Sequence, residues 1–259
     1  MTRKPWSPPF PTRAFRCGLA RLPAVAVAMA LAAGAAAKAP AAPRASAQPA
    51  ASSPHEAVDR MLARMLRAPE IQSRVLIRRT DPFGGPDERT SGRIWFLPGR
   101  GLRFRSEERG GEDIVVDRER GSFLVYRSSE KVLYRAGWDR APARMRQLIT
   151  EPERVLDSGF RAVSERRLAG GALRDGYRVR RSAMEDSASS VSVWIAADPA
   201  TGLPRWVSAA GDEDSVEVEF RALTILSKAN PRDLSLSLPR GVRTEPLDPR
   251  ELLPRGESR

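Results

Sequence analysis

The sequence predicts a mainly β protein built around one large antiparallel sheet. Three observations lead to this fold class. After residue 70, apolar and polar residues alternate with the two-residue period of a strand, as in residues 216–220, where Val, Val and Phe alternate with Glu. The connections between these runs are short, which favours antiparallel neighbours over parallel crossovers. Only two segments have helical periodicity, so the apolar face of the sheet must either pack on a second sheet or curl around these helices.

The first helix is predicted after Ser53, which can act as its N-cap. Pro54 follows in the first turn, and Glu56 lies three residues after the cap, a spacing typical of a capping box. Pro69 is expected to end the helix. The apolar face of this helix comprises Val58, Met61, Leu62, Met65 and Leu66.

The second helical segment is predicted over residues 141–159. Pro152 is expected to kink or split it, because proline lacks the backbone N–H that an inner turn requires. The residues at roughly helical spacing are Met145, Leu148, Ile149, Val155 and Leu156.

About eleven strands are predicted on the two sides of this second helical segment. The best-defined hairpin surrounds the turn at Pro98 and Gly99. The alternation of Leu and Ser in residues 233–239 predicts the closing strand. The runs before this closing strand, including the two of the hairpin, are 71–80, 90–97, 101–106, 112–117, 122–128, 131–136, 160–168, 175–182, 189–198, 203–211 and 215–226.

Residues 1–47 predict an export signal. They contain seven basic residues and no acid, and an apolar run from Leu22 to Ala37 follows the basic start. Cleavage is expected after Ala37 or Ala47. The apolar run is shorter than the ~20 residues of a comfortable membrane span, which favours a cleaved signal. The rival interpretation is an uncleaved anchor.

The remaining chain is expected to form one domain with short flanking segments. Residues 48–54 predict a disordered linker, residues 55–248 the folded domain, and residues 249–259 a flexible tail, since both flanks are rich in proline and small or charged residues.

The net charge does not point to a nucleic-acid partner. The chain has 44 basic and 32 acidic residues, a net charge of +12. Once the seven basic residues of the first 47 are removed, 37 basic residues face 32 acids, and the two kinds are interleaved along the chain. We therefore expect no nucleic acid among its partners.

The residue types needed for the common catalytic and metal sites are scarce. Cys17 is the only cysteine and precedes the apolar run, and His55 is the only histidine, so a histidine-based triad or a His/Cys metal site is not expected. The acids Asp212, Glu213 and Asp214 predict a solvated turn rather than an acid–base or metal site. The sequence therefore favours a protein that is not an enzyme and carries neither a cofactor nor a metal.

One segment resembles a known family. Residues 92–136 contain a strand that ends in Pro98-Gly99, then Arg103-Phe104-Arg105, then two strands at 114–117 and 123–126. This order is similar to that of the periplasmic LolA-like carriers of outer-membrane lipoproteins, within the LolA/LolB-like lipoprotein-sorting superfamily. The likeness continues through residues 191–223 and 233–248.

Some positions depart from the family pattern. Arg118 follows Asp117 where the family has glycine, and Leu236 and Leu238 stand where it has phenylalanine.

The resemblance implies a strongly curved, half-open antiparallel barrel whose concave apolar face is covered by helices. It also implies a periplasmic, monomeric carrier that binds the acyl chains of lipoproteins, or another lipid, and helps move them toward the outer membrane. Its partners would be an inner-membrane release complex and an outer-membrane acceptor. The alternative is an envelope-stress sensor of the same fold that acts through a membrane protein.

The resemblance further implies a lined cavity. Its wall would include residues 92–106, with Leu97, Leu102 and Phe104 facing inward, and a helical lid around residues 145–156. In the family an arginine at the mouth tunes opening, and Arg103 or Arg105 is the nearest match. The expected lining and mouth residues are Trp95, Leu97, Leu102, Arg103, Phe104, Arg105, Val125, Met145, Leu148, Ile149, Trp194, Trp206 and Phe220.

Overall fold

The computed structural model describes six stretches of the chain: residues 53–80, 87–141, 143–151, 160–181, 192–210 and 215–247. The expected export signal, most of the linker, the tail, the acidic turn at 212–214 and the expected kink at Pro152 lie outside these residues.

The described residues contain two α-helices, two short 3-10 helices and twelve strands. The α-helices are α1 (Pro54–Leu66) and α2 (Ala143–Thr150), and the 3-10 helices span Trp138–Arg140 and Pro231–Leu234. The strands are β1 (Glu70–Thr80), β2 (Glu88–Leu97), β3 (Gly101–Ser106), β4 (Glu112–Asp117), β5 (Ser122–Arg127), β6 (Val132–Gly137), β7 (Phe160–Ala169), β8 (Ala172–Arg181), β9 (Ser192–Ala197), β10 (Pro204–Ala210), β11 (Ser215–Leu226) and β12 (Arg243–Pro246).

The predicted start of α1 is confirmed. Ser53 Oγ accepts a hydrogen bond from the Glu56 amide (3.2 Å), and Glu56 Oε2 accepts one from the Ser53 amide (3.0 Å), which completes the capping box. The reciprocal bonds satisfy two amides that a helix start would otherwise leave unpaired. His55, in the first turn, is exposed and lies 3.5 Å from Asp59.

All twelve strands belong to one curved sheet that does not close. Their order is β12-β6-β5-β4-β3-β2-β1-β11-β10-β9-β8-β7, and every neighbouring pair is antiparallel except β12 and β6. The predicted mainly β, antiparallel, half-open barrel is therefore confirmed. The edges are β7 and the four-residue β12, whose length and terminal proline offer little for another strand to pair with.

The central strand β1 joins two meanders that are distant in sequence. Val75 lies opposite Gly92 of β2 on one side and opposite Phe220 of β11 on the other. A Cβ atom at Gly92 would lie 2.6 Å from Cε2 of the Phe104 ring. Glycine is therefore needed here, because the aromatic ring of β3 crosses directly over the neighbouring strand.

The two faces of the sheet differ in what covers them. One face, which we call the inner face, packs against both α-helices and holds the main hydrophobic core. The opposite, outer face holds two smaller clusters. One comprises Leu97, Val115 and Leu234, and the other comprises Ala169, Trp194, Ala196 and Trp206.

The predicted closing strand at residues 233–239 is wrong. Residues 231–234 form a 3-10 helix, and the chain then crosses the outer face without joining the sheet. Its leucines alternate with serines because Leu234 and Leu236 pack on Leu97 and Val115. The strand that follows, β12, pairs with β6 in a parallel arrangement that the alternation did not predict.

Candidate functional site

The inner face is one continuous apolar surface that spans the sheet. It is buried from β6 at one side to β8 at the other, and the strand residues that form it are Ile71, Val75, Ile77, Ile94, Phe96, Leu102, Phe104, Ile114, Val116, Phe123, Val125, Val132, Tyr134, Val179, Val193, Ile195, Val207, Val218 and Phe220. A surface of this extent is a site for apolar guests if its cover can move.

Helix α1 covers the inner face with apolar side chains. Val58, Met61, Leu62 and Met65 are all at most 4% exposed and belong to the same cluster. Methionine adapts to irregular surfaces because its side chain is unbranched and flexible. The contact between helix and sheet is therefore apolar and non-directional. An aliphatic chain can make the same kind of contact with the sheet.

The exposed side of α1 is tied to the turn between β9 and β10. Arg64 Nη1 donates a hydrogen bond to the carbonyl oxygen of Thr201 at 2.6 Å. The helix also lies against the edge strand β7. Helix α2 adds Met145 and Ile149 to the core, and both side chains are almost fully buried.

An open groove of about 650 Å³ runs between the C-terminal half of α1 and the end of β11. Its nine lining residues include three arginines and no acid. Arg60, Arg64 and Arg67 supply the charge, and the rest of the lining is Ala63, Ala68, Pro69, Ile225, Leu226 and Ser227. An apolar floor beside guanidinium groups suits a molecule with an aliphatic part and an anionic part.

At the other end of the inner face, Arg127 forms a buried ion-pair network. Its Nε donates to Glu112 Oε1 at 2.9 Å, Glu130 Oε1 lies 3.6 Å from Nη1, and the guanidinium stacks over the Tyr134 ring at 5.0 Å. Burial lowers the pKa of Arg127, but the hydrogen bond and charge of Glu112, together with Glu130, outweigh it and leave the pKa raised.

Tyr134 belongs to the same network and to the inner core. Burial raises the pKa of Tyr134, and the hydrogen bond from its Oη to Glu130 Oε2 (2.9 Å) raises it further. The network therefore fixes a charged rim at the edge of an apolar surface.

The expected cavity residues divide between the two faces. The six whose side chains lie in the inner core are Leu102, Phe104, Val125, Met145, Ile149 and Phe220. Those on the outer face are Trp95, Leu97, Arg103, Arg105, Trp194 and Trp206. Leu148 lies in α2, and its side chain is outside the described part of the chain.

Leu97 does not face inward with Leu102 and Phe104. The turn at Pro98-Gly99 pairs Leu97 with Gly101, so Phe96 lies opposite Leu102 and takes the inner face. Because side chains alternate along a strand, Leu97 points to the outer face, where it packs on Leu234.

Arg103 also lies on the outer face, and its donors are occupied there. Nε and Nη2 bind the two carboxylate oxygens of Asp113 at 2.8 and 2.5 Å. Nη1 donates to the carbonyl oxygens of Asp233 (3.2 Å) and Ser235 (2.8 Å), and the guanidinium stacks over Trp95. Arg103 therefore holds the segment after β11 against the sheet, on the face away from both helices.

Trp194 and Trp206 support the β7–β8 hairpin from the outer face. Trp194 Nε1 donates to the carbonyl oxygen of Glu165 at 3.1 Å, and Arg174 stacks over the Trp206 ring at 5.0 Å. Their role in the structure is to fix this hairpin rather than to line the inner face.

Sequence reasoning missed several residues that the fold brings to the inner face. The inward position of Ile94 and Phe96 follows from the hairpin register, which the turn residues determine. Arg127 was overlooked because a Glu112–Arg127 pair across β4 and β5 is recognisable only when that register is fixed.

A buried carboxylate was also missed. Glu70 is fully buried, and its Oε2 accepts a hydrogen bond from the Asn230 amide at 2.7 Å. Gln72 Nε2 bridges Glu70 Oε1 and Asp233 Oδ2 at 2.7 and 3.2 Å. Burial raises the pKa of Glu70, and nearby Asp233 adds to that effect against the lowering by the hydrogen bonds from Asn230 and Gln72.

No family model and no curated protein matches the chain. The comparisons with solved structures do find matches. The chain is similar to a LolA superfamily protein. That structure, from Nitrosomonas europaea, is 11% identical with a TM-score of 0.40, over 72% of this chain and 99% of that chain.

Two other solved structures are similar as well. An uncharacterized conserved protein from Thermus thermophilus is 12% identical, with a TM-score of 0.45 over 74% of this chain and 98% of that chain. A MucA/MucB complex structure from Pseudomonas aeruginosa is 14% identical, with a TM-score of 0.39 over 65% of this chain and 56% of that chain. These similarities concern the fold alone.

Neither a metal cluster nor a membrane-spanning helix occurs in the described stretches. Within them, no group of three or more His, Cys, Asp or Glu side chains is placed to hold a metal ion. None of the helices described is long and apolar enough to cross a membrane.

Proposed function

We propose that this protein is a periplasmic carrier that binds acyl chains of lipoproteins, or of another lipid, between the inner face of the sheet and helix α1. The observation that carries the proposal is the continuous apolar inner face, whose helical cover makes apolar contacts through Val58, Met61, Leu62 and Met65. In this proposal the protein is a binding protein without an enzymatic step.

On binding, the acyl chain would replace helix α1 as the apolar cover of the inner face. An acyl chain that displaces α1 regains the burial that the helix loses, and each buried methylene contributes about 0.8 kcal/mol. The net affinity is the difference between chain burial and helix burial, so it stays modest. A modest affinity suits a carrier, because a carrier must release its cargo.

The groove beside α1 supports a route for the guest. Ile225 and Leu226 continue the apolar surface at the C-terminal half of the helix, and three arginines stand over them. We infer that the aliphatic part enters here beneath α1, while Arg60, Arg64 and Arg67 hold an anionic or polar head outside.

The export signal expected in residues 1–47 supports a periplasmic location. A carrier there would load at the inner membrane and deliver to an acceptor at the outer membrane, acting as a monomer. A regulator that shares the fold would instead bind a membrane protein, so recovery of such a protein without lipid would favour that alternative.

The test compares two buried leucines on opposite faces. Leu62→Ala enlarges the space under α1, whereas Leu97→Ala makes a similar void on the outer face, and both side chains are at most 1% exposed. Each is expected to lose about 3 kcal/mol of stability. Only Leu62→Ala should change the affinity for a fluorescent C16 acyl probe.

Mass spectrometry of lipids that copurify with the protein completes the test. Equal probe affinity in both variants, or a wild-type protein that neither binds the probe nor copurifies with lipid, would contradict the proposed function.

A further inference from the structure

The β7–β8 hairpin forms one edge of the sheet. Its two strands pair along their whole length, from Phe160 opposite Arg181 to Ala169 opposite Ala172. Only Tyr177, Arg178 and Val179 of β8 pair with β9. Among the described residues, the half of the hairpin near its turn therefore pairs with no strand outside the hairpin.

The half near the turn carries exposed leucines. Leu168 and Leu173 lie directly opposite each other beside the turn, and they are 67% and 63% exposed. Val163, on the same hairpin, is 45% exposed, whereas Leu238 is the one other large apolar residue in this class among the described residues. The two leucines form a small apolar patch exposed to water, which a contact with an apolar environment would bury.

The positive charge of the chain is concentrated in this hairpin. Residues 160–181 contain seven arginines and two acids. After residue 47 the chain contains 37 basic and 32 acidic residues. Outside the hairpin, this part of the chain therefore has 30 basic and 30 acidic residues. The net charge of +5 after the expected signal thus equals the net charge of this single hairpin.

Two arginines face each other next to the leucines. Arg167 lies opposite Arg174, and like charges at directly opposite positions repel. Within the described residues no acid pairs with either: Arg167 Nη1 donates to Ser208 Oγ (2.9 Å), and Arg174 Nε donates to the Ala169 carbonyl (3.1 Å). The two acids of the hairpin are already taken, Asp175 by Arg166 and Glu165 by Arg178.

The tip is held in a fixed position. Gly170 has a φ of +58°, and a Cβ atom there would overlap the Trp206 ring. The turn therefore packs its backbone directly on an aromatic ring, with Ala169 buried beside it. A rigid tip presents its leucines without the ordering cost of a mobile loop.

We propose that the β7–β8 hairpin docks this protein on an anionic lipid bilayer. Leu168 and Leu173 enter the interface between headgroups and acyl chains, while Arg167 and Arg174 contact lipid phosphates and relieve their mutual repulsion. A bilayer fits better than a folded partner, because the net charge of the hairpin is strongly positive and its exposed apolar part is small. Neither leucine belongs to the main core of the inner face, and the docking does not depend on the proposed cargo.

Vesicle flotation tests this docking. The purified protein, with residues 1–47 identical in every variant, is mixed with vesicles of phosphatidylcholine alone or with 30% phosphatidylglycerol. We expect the anionic vesicles to bind more protein and added salt to weaken that binding. Leu168→Ser with Leu173→Ser, and Arg167→Gln with Arg174→Gln, should each lower the anionic partition by about tenfold or more.

Leu238→Ser is the matched control, since it removes an exposed leucine elsewhere and should leave the partition unchanged. Unchanged anionic partition in both double variants, or an equal loss in the control, overturns the proposal. Binding to native membranes without any binding to lipid vesicles would also overturn it, because the hairpin would then bind a membrane protein. Acyl-probe affinity measured in parallel should not change in either double variant.

Discussion

Arg103 and Asp113 form a two-point ion pair on the outer face of the sheet, with N–O distances of 2.8 and 2.5 Å. The third nitrogen of the guanidinium binds two main-chain carbonyls of the segment after β11. One side chain thus joins β3 and β4 to a segment about 130 residues later in the chain. Only the planar fork of arginine can serve both partners at once.

Removing this side chain should release that segment. Arg103→Leu leaves the carboxylate of Asp113 partly buried and without its cation, so we expect the free energy of unfolding to fall by about 2–3 kcal/mol. Urea denaturation measures the loss, and hydrogen exchange should show faster exchange in residues 230–236. Arg105→Leu, at an exposed neighbouring position, is the control and should change stability by less than about 0.5 kcal/mol.

Replacing Arg127 should destabilise the protein more than replacing an exposed arginine on the next strand. Arg127→Gln leaves Glu112 and Glu130 without their cation, and we expect a loss of about 3 kcal/mol. Arg135→Gln, on the exposed side of β6, should change little. Equal unfolding midpoints of the two variants in urea would show that the buried network does not stabilise the fold.

Glu70 should make stability depend on pH. A carboxyl with a raised folded-state pKa stabilises the protein fully below its ordinary value of 4.5, and this contribution is lost as the pH rises through the raised value. Glu70→Gln removes the buried charge, so its unfolding temperature should exceed that of the wild type at neutral pH. The difference should vanish below pH 4.5.

Scanning calorimetry across this pH range checks the prediction for Glu70. Glu119→Gln, in an exposed ion pair with Arg100, is the control and should shift the unfolding temperature little at any pH. A Glu70→Gln protein that is less stable than the wild type at neutral pH would mean that the ionised form is the favoured one.

Gly176 should not tolerate a side chain. A Cβ atom there would lie 2.6 Å from the Ile195 carbonyl oxygen and 2.7 Å from the Trp194 ring, so Gly176→Ala must move β8 away from β9. We expect a loss of about 1–3 kcal/mol and a shifted tryptophan emission. Gly171→Ala meets open space and should cost only the strain of its positive φ, about 1 kcal/mol, with unchanged emission.

The sequence allowed most of the sheet to be predicted, because its strands carry local signals. Alternation located β1 to β11, the capping box located α1, and the Pro98-Gly99 turn located the β2–β3 hairpin. The segment around Leu234 and Leu236 was misassigned, since alternation records which side of a chain is buried and not whether that chain joins a ladder.

The candidate site was less predictable than the fold. Assigning Leu97 or Trp95 to a face requires the register, and a shift of one residue reverses every assignment along a strand. Glu70 and Asp233 lie near opposite ends of the folded domain in sequence, so only the three-dimensional fold brings them together. The concentration of arginine in residues 160–181 was visible in the sequence, but its meaning depends on the exposed leucines beside it.

The central position of β1 has a consequence for how the chain reaches its native state. This strand, formed by residues 70–80, needs β11 as a neighbour, and Thr80 pairs with Ser215, which is synthesised much later. The first meander can assemble locally, but one long edge of it stays unmatched until the C-terminal strands arrive. Such non-local pairing slows folding. Until β11 is available, the early half therefore carries an open, aggregation-prone edge, so we expect refolding to be slow and sensitive to protein concentration.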